Sequence, residues 1–302
     1  MRLFVDADGF IRIIYLADGG KGMAMQKNHI CLEDFYGIEI YHVHDALETE
    51  SVSLQNTPHS HDYFELALHI SGELDIFVED AIYRLHGGEV RLYASGELHY
   101  GIKRKKAPSE WYQIKIPSCF LDYAEGGLLM RIFLERRFGE GNVFVSAYHD
   151  EMVSILKNAF AFYHAENPFA QSYAKYGILQ LLCLVNQAEN NQKAEAYSSS
   201  ALQTVLNLIG REYRDLMTVG DIAMRSHFSV SYINKLFQRH LCISPYQFLL
   251  GKKFDAAKKA LKEGRSVTDA CLAAGFHDYS NFITMFRKRY GVTPYHYEKR
   301  SK

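Results

Sequence analysis

Cysteine is sparse and unpaired in this sequence. Five occur among 302 residues, at positions 31, 119, 183, 242 and 271. An odd, scattered set with no C-x-x-C spacing builds no disulfide framework; it argues for reduced thiols and hence for a cytoplasmic protein. Long apolar runs are also missing, and no stretch is long enough to span a bilayer. The first residues, Met1-Arg-Leu-Phe-Val-Asp-Ala-Asp8, lack the apolar core of a secretory signal. No membrane partner is therefore expected. An excess of charge is absent too: 34 Lys+Arg against 35 Asp+Glu leave a net of −1. That balance averages two unlike halves. Residues 201–302 hold 17 Lys+Arg and 8 Asp+Glu, a net of +9, whereas residues 1–200 hold 17 and 27, a net of −10. A length of 302 residues suits two domains.

What the basic half does contain is a repeat. Phe237 is followed by Ile243, Ser244, Pro245 and Tyr246; Phe286 is followed at the same distances by Val292, Thr293, Pro294 and Tyr295. The offset of 49 residues also matches Ile233 with Phe282, Leu236 with Met285 and Arg239 with Lys288. In the first copy, Ser229 is a good N-cap for a helix with apolar residues at 232, 233, 236 and 237, which predicts Tyr232, Ile233 and Leu236 as core. Val219 to Arg225 forms a shorter helix before it. The second copy repeats this, with Ser266 and Asp269 near a capping box, a helix over Val267–Ala274, Gly275 ending it, and a second helix from Ser280 to Tyr290 closed by Gly291. Pro245 to Leu261 reads as one linking helix. Each copy has the outline of a helix-turn-helix, and a basic unit of this kind carries the electrostatic footprint of DNA binding.

The run from Ala273 to Pro294, and Ser229-x-x-Tyr232-Ile233-x-x-x-Phe237 ending in Ile243-Ser-Pro-Tyr246, closely resemble the signature of the AraC/XylS family of bacterial transcription regulators. The resemblance covers roughly residues 201–298. It implies seven helices and two recognition helices entering adjacent major-groove segments about 34 Å apart on one face of the duplex. Recognition helices present their first turns to base edges, so Ser231, Asn234 and Lys235 in the first unit and Ser280, Asn281 and Thr284 in the second, with Tyr279 at the edge, are the candidate readers. Lys235, Arg239, Arg287 and Lys288 are placed for phosphates. The sequence departs from the family pattern at Cys242, where a glycine is usual, at Gly251-Lys252-Lys253 inside the linking helix, and at Glu298 in place of a basic residue. The glycine costs about 1 kcal/mol against alanine and makes that helix a candidate for flexing.

The first half reads as β-rich. Strands are expected at Tyr63–Ser71, Glu73–Val78, Ala81–Leu85, Glu89–Tyr93 and Trp111–Ile116, separated by tight turns, as in a small antiparallel barrel or sandwich. His59-x-His61-x3-Glu65-x6-Gly72, then Gly88-x5-Ala94-x-Gly96-x2-His99, resembles the two-part cupin signature over roughly residues 30–120, with Ala94 in place of its proline and Lys103 in place of its asparagine. Three histidines and a glutamate in a barrel are a ligand set for Zn, Fe or Mn, so a metallo-cupin sensor or enzyme built on His59, His61, Glu65 and His99 is the alternative reading. The AraC/XylS resemblance favours instead a pocket without metal that takes a small effector, a sugar or sugar derivative. On the 111–116 strand, hydrophobicity places Tyr112, Ile114 and Ile116 inside, whereas the resemblance favours Trp111, Gln113 and Lys115. The candidate effector set is thus His59, His61, Glu65, Tyr93, His99, Trp111, Gln113 and Lys115.

Apolar stripes at helical spacing follow at His149–Ala165 and Phe169–Ala188, the second apolar on more than one face. One face suits packing on the barrel and the other a second copy of the chain. A polar, serine-rich stretch then reads as a linker. The expected architecture is α+β in two domains. A cupin-like antiparallel β-barrel with appended helices (1–147, with a helical dimerisation segment at 148–190) is joined by a linker (191–200) to an all-α double helix-turn-helix domain (201–302). The Gly-rich stretch at Gly19, Gly20 and Gly22 is expected to be an arm over the pocket or against the basic half. Double-stranded DNA, a small effector and a second copy of the chain are the expected partners, with RNA polymerase a further candidate. A regulator needs binding rather than turnover, so neither enzymatic activity nor a cofactor is expected.

Overall fold

A computed structural model describes the backbone at residues 2–5, 11–15, 23–45, 58–102, 108–187, 191–194, 196 and 199–300. Lys103, the glycines at 19, 20 and 22, and several positions of the expected linker lie outside the described residues. The chain divides into two units. One comprises Met1–Val52, His61–Glu97 and Lys103–Tyr197, and the other Ser53–Ser60, Leu98–Ile102 and Ser198–Lys302.

The first unit is built from β1 (Arg2–Val5), β2 (Ile11–Tyr15), β3 (Met23–Leu32), β4 (Ile38–Asp45), β5 (Tyr63–Ser71), β6 (Leu74–Val78), β7 (Ala81–Leu85) and β8 (Glu89–Tyr93). β9 (His99–Ile102) falls in the second unit, and β10 (Ser109–Pro117), β11 (Val143–Ser146) and β12 (Asn191–Lys193) return to the first. Nine strands form one antiparallel sheet in the order β1-β2-β3-β4-β10-β5-β8-β11-β12, and β6 and β7 make a hairpin. Strands β5, β7 and β8 coincide with those expected. The stretch expected to open the linker instead adds β12 to the sheet, with Phe144 opposite Lys193.

Period-2 alternation decides the two faces of the sheet. On β10, Tyr112, Ile114 and Ile116 are buried, while Trp111, Gln113 and Lys115 are half-buried on the other side. The apolar set joins Phe64, Leu66 and Leu68 of β5 and Ile38 and Ile40 of β4 in the main core. That core is covered by two helices. After the short turns α1 (Gly126–Leu129) and α2 (Arg131–Leu134), α3 (His149–His164) contributes Met152, Leu156, Ala159 and Phe160, and α4 (Ala170–Val185) contributes Ala174, Ile178, Leu181, Leu182 and Val185. Hydrophobicity alone sends Tyr112, Ile114 and Ile116 inside a barrel; the structure corrects this, because the helices rather than a barrel lumen bury them. α3 and α4 approach closely at Gly177, where an added Cβ would lie 2.7 Å from Ile155 Cγ2.

In the second unit, α5 (Ser200–Glu212), α6 (Val219–Ser226), α7 (Val230–Leu241), α8 (Pro245–Lys262), α9 (Val267–Ala273), α10 (Tyr279–Tyr290) and α11 (Pro294–Arg300) complete the seven expected helices. α8 runs unbroken through Gly251, which is buried. It starts from a full capping box between Ser244 and Gln247 with Pro245 in its first turn, which satisfies amides that would otherwise lack partners. Lys253 is buried on this helix. Its Nζ donates to the Gly275 carbonyl at 2.7 Å and lies over the Phe276 ring, so this lysine of the departing Gly-Lys-Lys stretch locks the second turn rather than facing solvent. Burial holds its pKa below the ordinary lysine value.

Candidate functional site

The helix-turn-helix units are set by their caps. Thr218 opens α6 with a capping box: its hydroxyl accepts from the Asp221 amide at 3.1 Å, and the Asp221 carboxylate accepts from the amides of Met217 and Thr218 at 2.9 and 2.8 Å. Those backbone donors, Met217 first, hold the Asp221 carboxyl below the usual range. Ser229 caps α7 through the Tyr232 amide, as expected. α10 starts one residue earlier than the sequence indicated, because Asp278 caps it through the Asn281 amide at 2.9 Å.

α7 and α10 each divide into a buried and an exposed face. On α7, Ile233, Leu236 and Phe237 are buried, and Ser231, Asn234, Lys235 and Arg239 are exposed. On α10, Phe282 and Phe286 are buried; Ser280, Asn281, Thr284, Arg287 and Lys288 are exposed, and Tyr279 is 43% exposed at the first turn. Thr284 Oγ1 donates to the Ser280 carbonyl at 3.0 Å, which leaves its oxygen free to accept. A concave surface beside α10 is lined by Ile283, Thr284, Arg287, Lys288, Gly291 and Thr293. One expectation fails: Tyr232 is 44% exposed, with its ring 5.1 Å from Phe228. Apolar periodicity assigned it to the core, but Ile233, Leu236, Phe237 and Leu241 already fill the α7 stripe. The phenol therefore joins the exposed face, a position that an amphipathic residue tolerates.

The face of the large sheet opposite the helices is polar. Cross-strand register sets Trp111 beside Val43 and His69, Gln113 beside Tyr41 and Ala67, and Lys115 beside Glu39 and Glu65. Arg91 lies across from Ala67 on the next strand, and Tyr93 across from Glu65. The short side chain of Ala67 thus separates Arg91 from Gln113. Lys115 Nζ is 3.7 Å from Glu39 and lies over the rings of Tyr41 and Tyr63. Glu65 is buried and is met by Arg91 at 3.4 Å and by His61 at 3.4 Å. Tyr93 is wholly buried, and burial raises its phenol. His69 Nε2 donates to the Gly72 carbonyl at 2.9 Å, and burial depresses its pKa, so its Nδ1 is left as an acceptor. Among the described residues, that Nδ1, Trp111 Nε1 and Arg91 Nε are buried atoms that meet no hydrogen-bond partner.

The four residues of the cupin-like set divide between the two units. His61 and Glu65 form one close pair, and the His61 ring stacks on Tyr63 with centroids 3.7 Å apart. His59 and His99 form another, joined by an antiparallel backbone bridge with ring centroids 4.6 Å apart. His69 and Arg91 were not singled out from the sequence. The only signal for either was its place two or four residues along a strand from a residue that was.

Known proteins align with both regions. A model of the AraC-like ligand binding domain matches residues 55–205, and a model of a helix-turn-helix domain matches residues 222–300. The chain is 20% identical over 255 residues to the probable transcriptional regulator LumQ of Photobacterium leiognathi, covering 84% of this chain and 96% of that one. It is 23% identical over 256 residues to the transcriptional activator RhaR of Mannheimia succiniciproducens, covering 80% and 87%. To the melibiose operon regulatory protein of Escherichia coli K12 it is 25% identical over 122 residues, covering 39% of this chain and 40% of that one.

Proposed function

The chain belongs to the AraC family of transcription regulators, and from that premise we propose that it recognises a specific DNA sequence under control of a hydroxyl-rich small molecule, a sugar or sugar derivative. The observation that carries the DNA half is the exposed face of the two recognition helices. Two copies of one motif present Ser, Asn and Thr at their first turns and Lys or Arg further along. Asn pairs bidentately with adenine, Lys donates to guanine, and the later cations meet phosphates. A net of +9 over residues 201–302 supplies the sequence-independent attraction.

The effector assignment is supported by the three orphaned atoms on the polar sheet face. Trp111 Nε1 and Arg91 Nε donate, and His69 Nδ1 accepts. A hydroxyl both donates and accepts, so a ring carrying several hydroxyls satisfies all three, with the Trp111 ring as a stacking surface and Gln113 beside it. Buried polar atoms without partners cost roughly 1–3 kcal/mol each, a penalty that such a ligand relieves. Exposed aromatics at the α3–α4 turn and along α4 (Phe162, Tyr163, Phe169 and Tyr176) suit contact with a second copy of the chain. RNA polymerase is the further partner proposed for the promoter-bound protein.

A thermal-shift screen of the full chain against monosaccharides, uronic acids and divalent metals tests the effector class. A sugar that raises the melting temperature, with the effect lost in Trp111→Ala, supports it. Silence from every sugar sinks it. Metal hits that vanish in His61→Ala move the reading to the metallo-cupin set of His59, His61, Glu65 and His99. Selection of genomic fragments by the purified chain tests the DNA half independently.

A further inference from the structure

The apolar face of the sheet does not stay apolar to its end. Along β4 the residues that face the helices are Ile38, Ile40, His42 and His44. The two histidines are two apart on a strand, so they project to the same side. Register sets Tyr112 of β10 and Asn28 of β3 on either side of His42, and Glu110 of β10 beside His44. His42 Nε2 lies 2.8 Å and His44 Nε2 3.6 Å from the same oxygen, Glu110 Oε1, and the potential ligand atoms of the three residues are all within 4.8 Å of one another. This group is on the side of the sheet opposite Trp111, Gln113 and Lys115. It is therefore separate from the face assigned to the effector.

We propose that His42, His44 and Glu110 form a binding site for a divalent transition metal of the Zn2+ class, with a fourth position left to water.

Two imidazoles and one carboxylate are the ligand types that zinc and its neighbours take. A tetrahedral ion bound at about 2.0–2.1 Å holds its ligand atoms about 3.4 Å apart, and the separations of 2.8 and 3.6 Å from Glu110 Oε1 bracket that spacing. The arrangement is also held in place. Tyr112 stacks on the His42 ring with centroids 4.3 Å apart, and Phe160 of α3 lies 5.9 Å from it. The His42 and His44 rings are 4.4 Å apart, an unfavourable approach for two imidazolium ions and a natural one for two neutral ligands of one cation. A second observation points the same way. Asn28 is 7% exposed, and its Oδ1 is buried and meets no hydrogen-bond partner among the described residues, on the same face directly across from His42. A metal with its bound water at the centre of the group gives that oxygen a donor.

The test uses the full chain made without a histidine tag and freed of metal by dialysis. Co2+ is titrated in as the spectroscopic probe and Zn2+ as the competitor. One equivalent of Co2+ giving tetrahedral visible bands, displaced by Zn2+, is expected. His44→Ala and Glu110→Gln, both at half-exposed positions, are each expected to weaken binding at least tenfold, while His61→Ala leaves it unchanged. As a readout independent of any variant, bound Zn2+ is expected to protect His42 and His44 from diethylpyrocarbonate. The proposal is overturned if the wild-type chain takes up no stoichiometric Co2+. It is equally overturned if His61→Ala abolishes binding while His44→Ala does not, since the ion then lies in the cupin-like set.

Discussion

Cys242 adopts a left-handed backbone, with φ of 54°, as the C-terminal residue closing α7. Gly291 does the same for α10 at φ of 74°, and the two positions are 49 residues apart, the offset of the repeat. A side chain in that conformation crowds the following carbonyl, and glycine does not. Cys242→Gly is therefore expected to stabilise the DNA-binding unit by about 1 kcal/mol, read as a higher urea midpoint for the transition that DNA protects. An unchanged or lower midpoint would show that the thiol makes compensating contacts. Glu97 is the opposite case, a residue whose loss is severe. It is wholly buried, and it accepts from the amides of Ala94 and Gly139, from Asn142 and from both terminal nitrogens of Arg136. Glu97→Ala leaves the guanidinium buried without its partner, at a cost of about 3–5 kcal/mol. A melting temperature of the β unit within a degree of wild type would refute this. Apart from the Ala94 amide, the partners of Glu97 lie 39 to 45 residues on, so nothing local in the sequence announced them.

The helices and the strands differ in what their residues disclose. Caps and stripes are local, so α7, α9 and the end of α10 were legible from Ser229, Ser266 and Gly291, whereas the start of α10 was not, because Asp278 caps it one residue earlier. β5 and β8 were legible because apolar and polar residues largely alternate along them, and β7 because turn residues bound it on both sides. β3 and β4 were not, for a physical reason. Their helix-facing positions change from isoleucine to Asn28, His42 and His44, which breaks the apolar pattern where the histidine–glutamate group forms. Glu110 comes beside His44 only through β10 pairing with β4. His42 and Glu110 are 68 residues apart in sequence, and the local periodicity of either strand does not say which distant strand pairs with it. The roles within one recognition surface can be separated by element. Asn234 stands at the first turns of α7 and Lys288 near the end of α10. Asn234→Ala is expected to cost roughly 1–3 kcal/mol at one base position and to relax the preference there. Lys288→Ala is expected to weaken all sequences alike and to reduce the slope of log affinity against log salt by about 1. Fluorescence anisotropy across a panel of single-base operator variants and salt concentrations reads both. If the two variants behave identically, the division into base readers and phosphate contacts is wrong.

For the whole chain, the question is whether ligand and DNA are linked. An effector changes DNA binding only if it binds two arrangements of the protein with different affinity. Linkage then makes the effect reciprocal: if saturating effector changes DNA affinity by some factor, saturating DNA changes effector affinity by the same factor. For couplings of about 1–3 kcal/mol that factor is about 5–150-fold. The expected result is equal factors from two titrations, anisotropy of labelled operator with and without effector, and calorimetry of effector with and without operator. In Trp111→Ala the two factors should stay equal to each other, and both should shrink only if the Trp111 contact is made more fully in one arrangement than in the other. A factor of one in both directions, with effector still bound, would mean that the polar face of the sheet takes a ligand without governing the recognition helices. Regulation would then reside in the abundance of the protein itself. Unequal factors are excluded by thermodynamics for a single coupled equilibrium, so their appearance would signal a change of assembly state between the two experiments. That outcome would make protomer concentration, through the exposed aromatics of α3 and α4, the variable to control next.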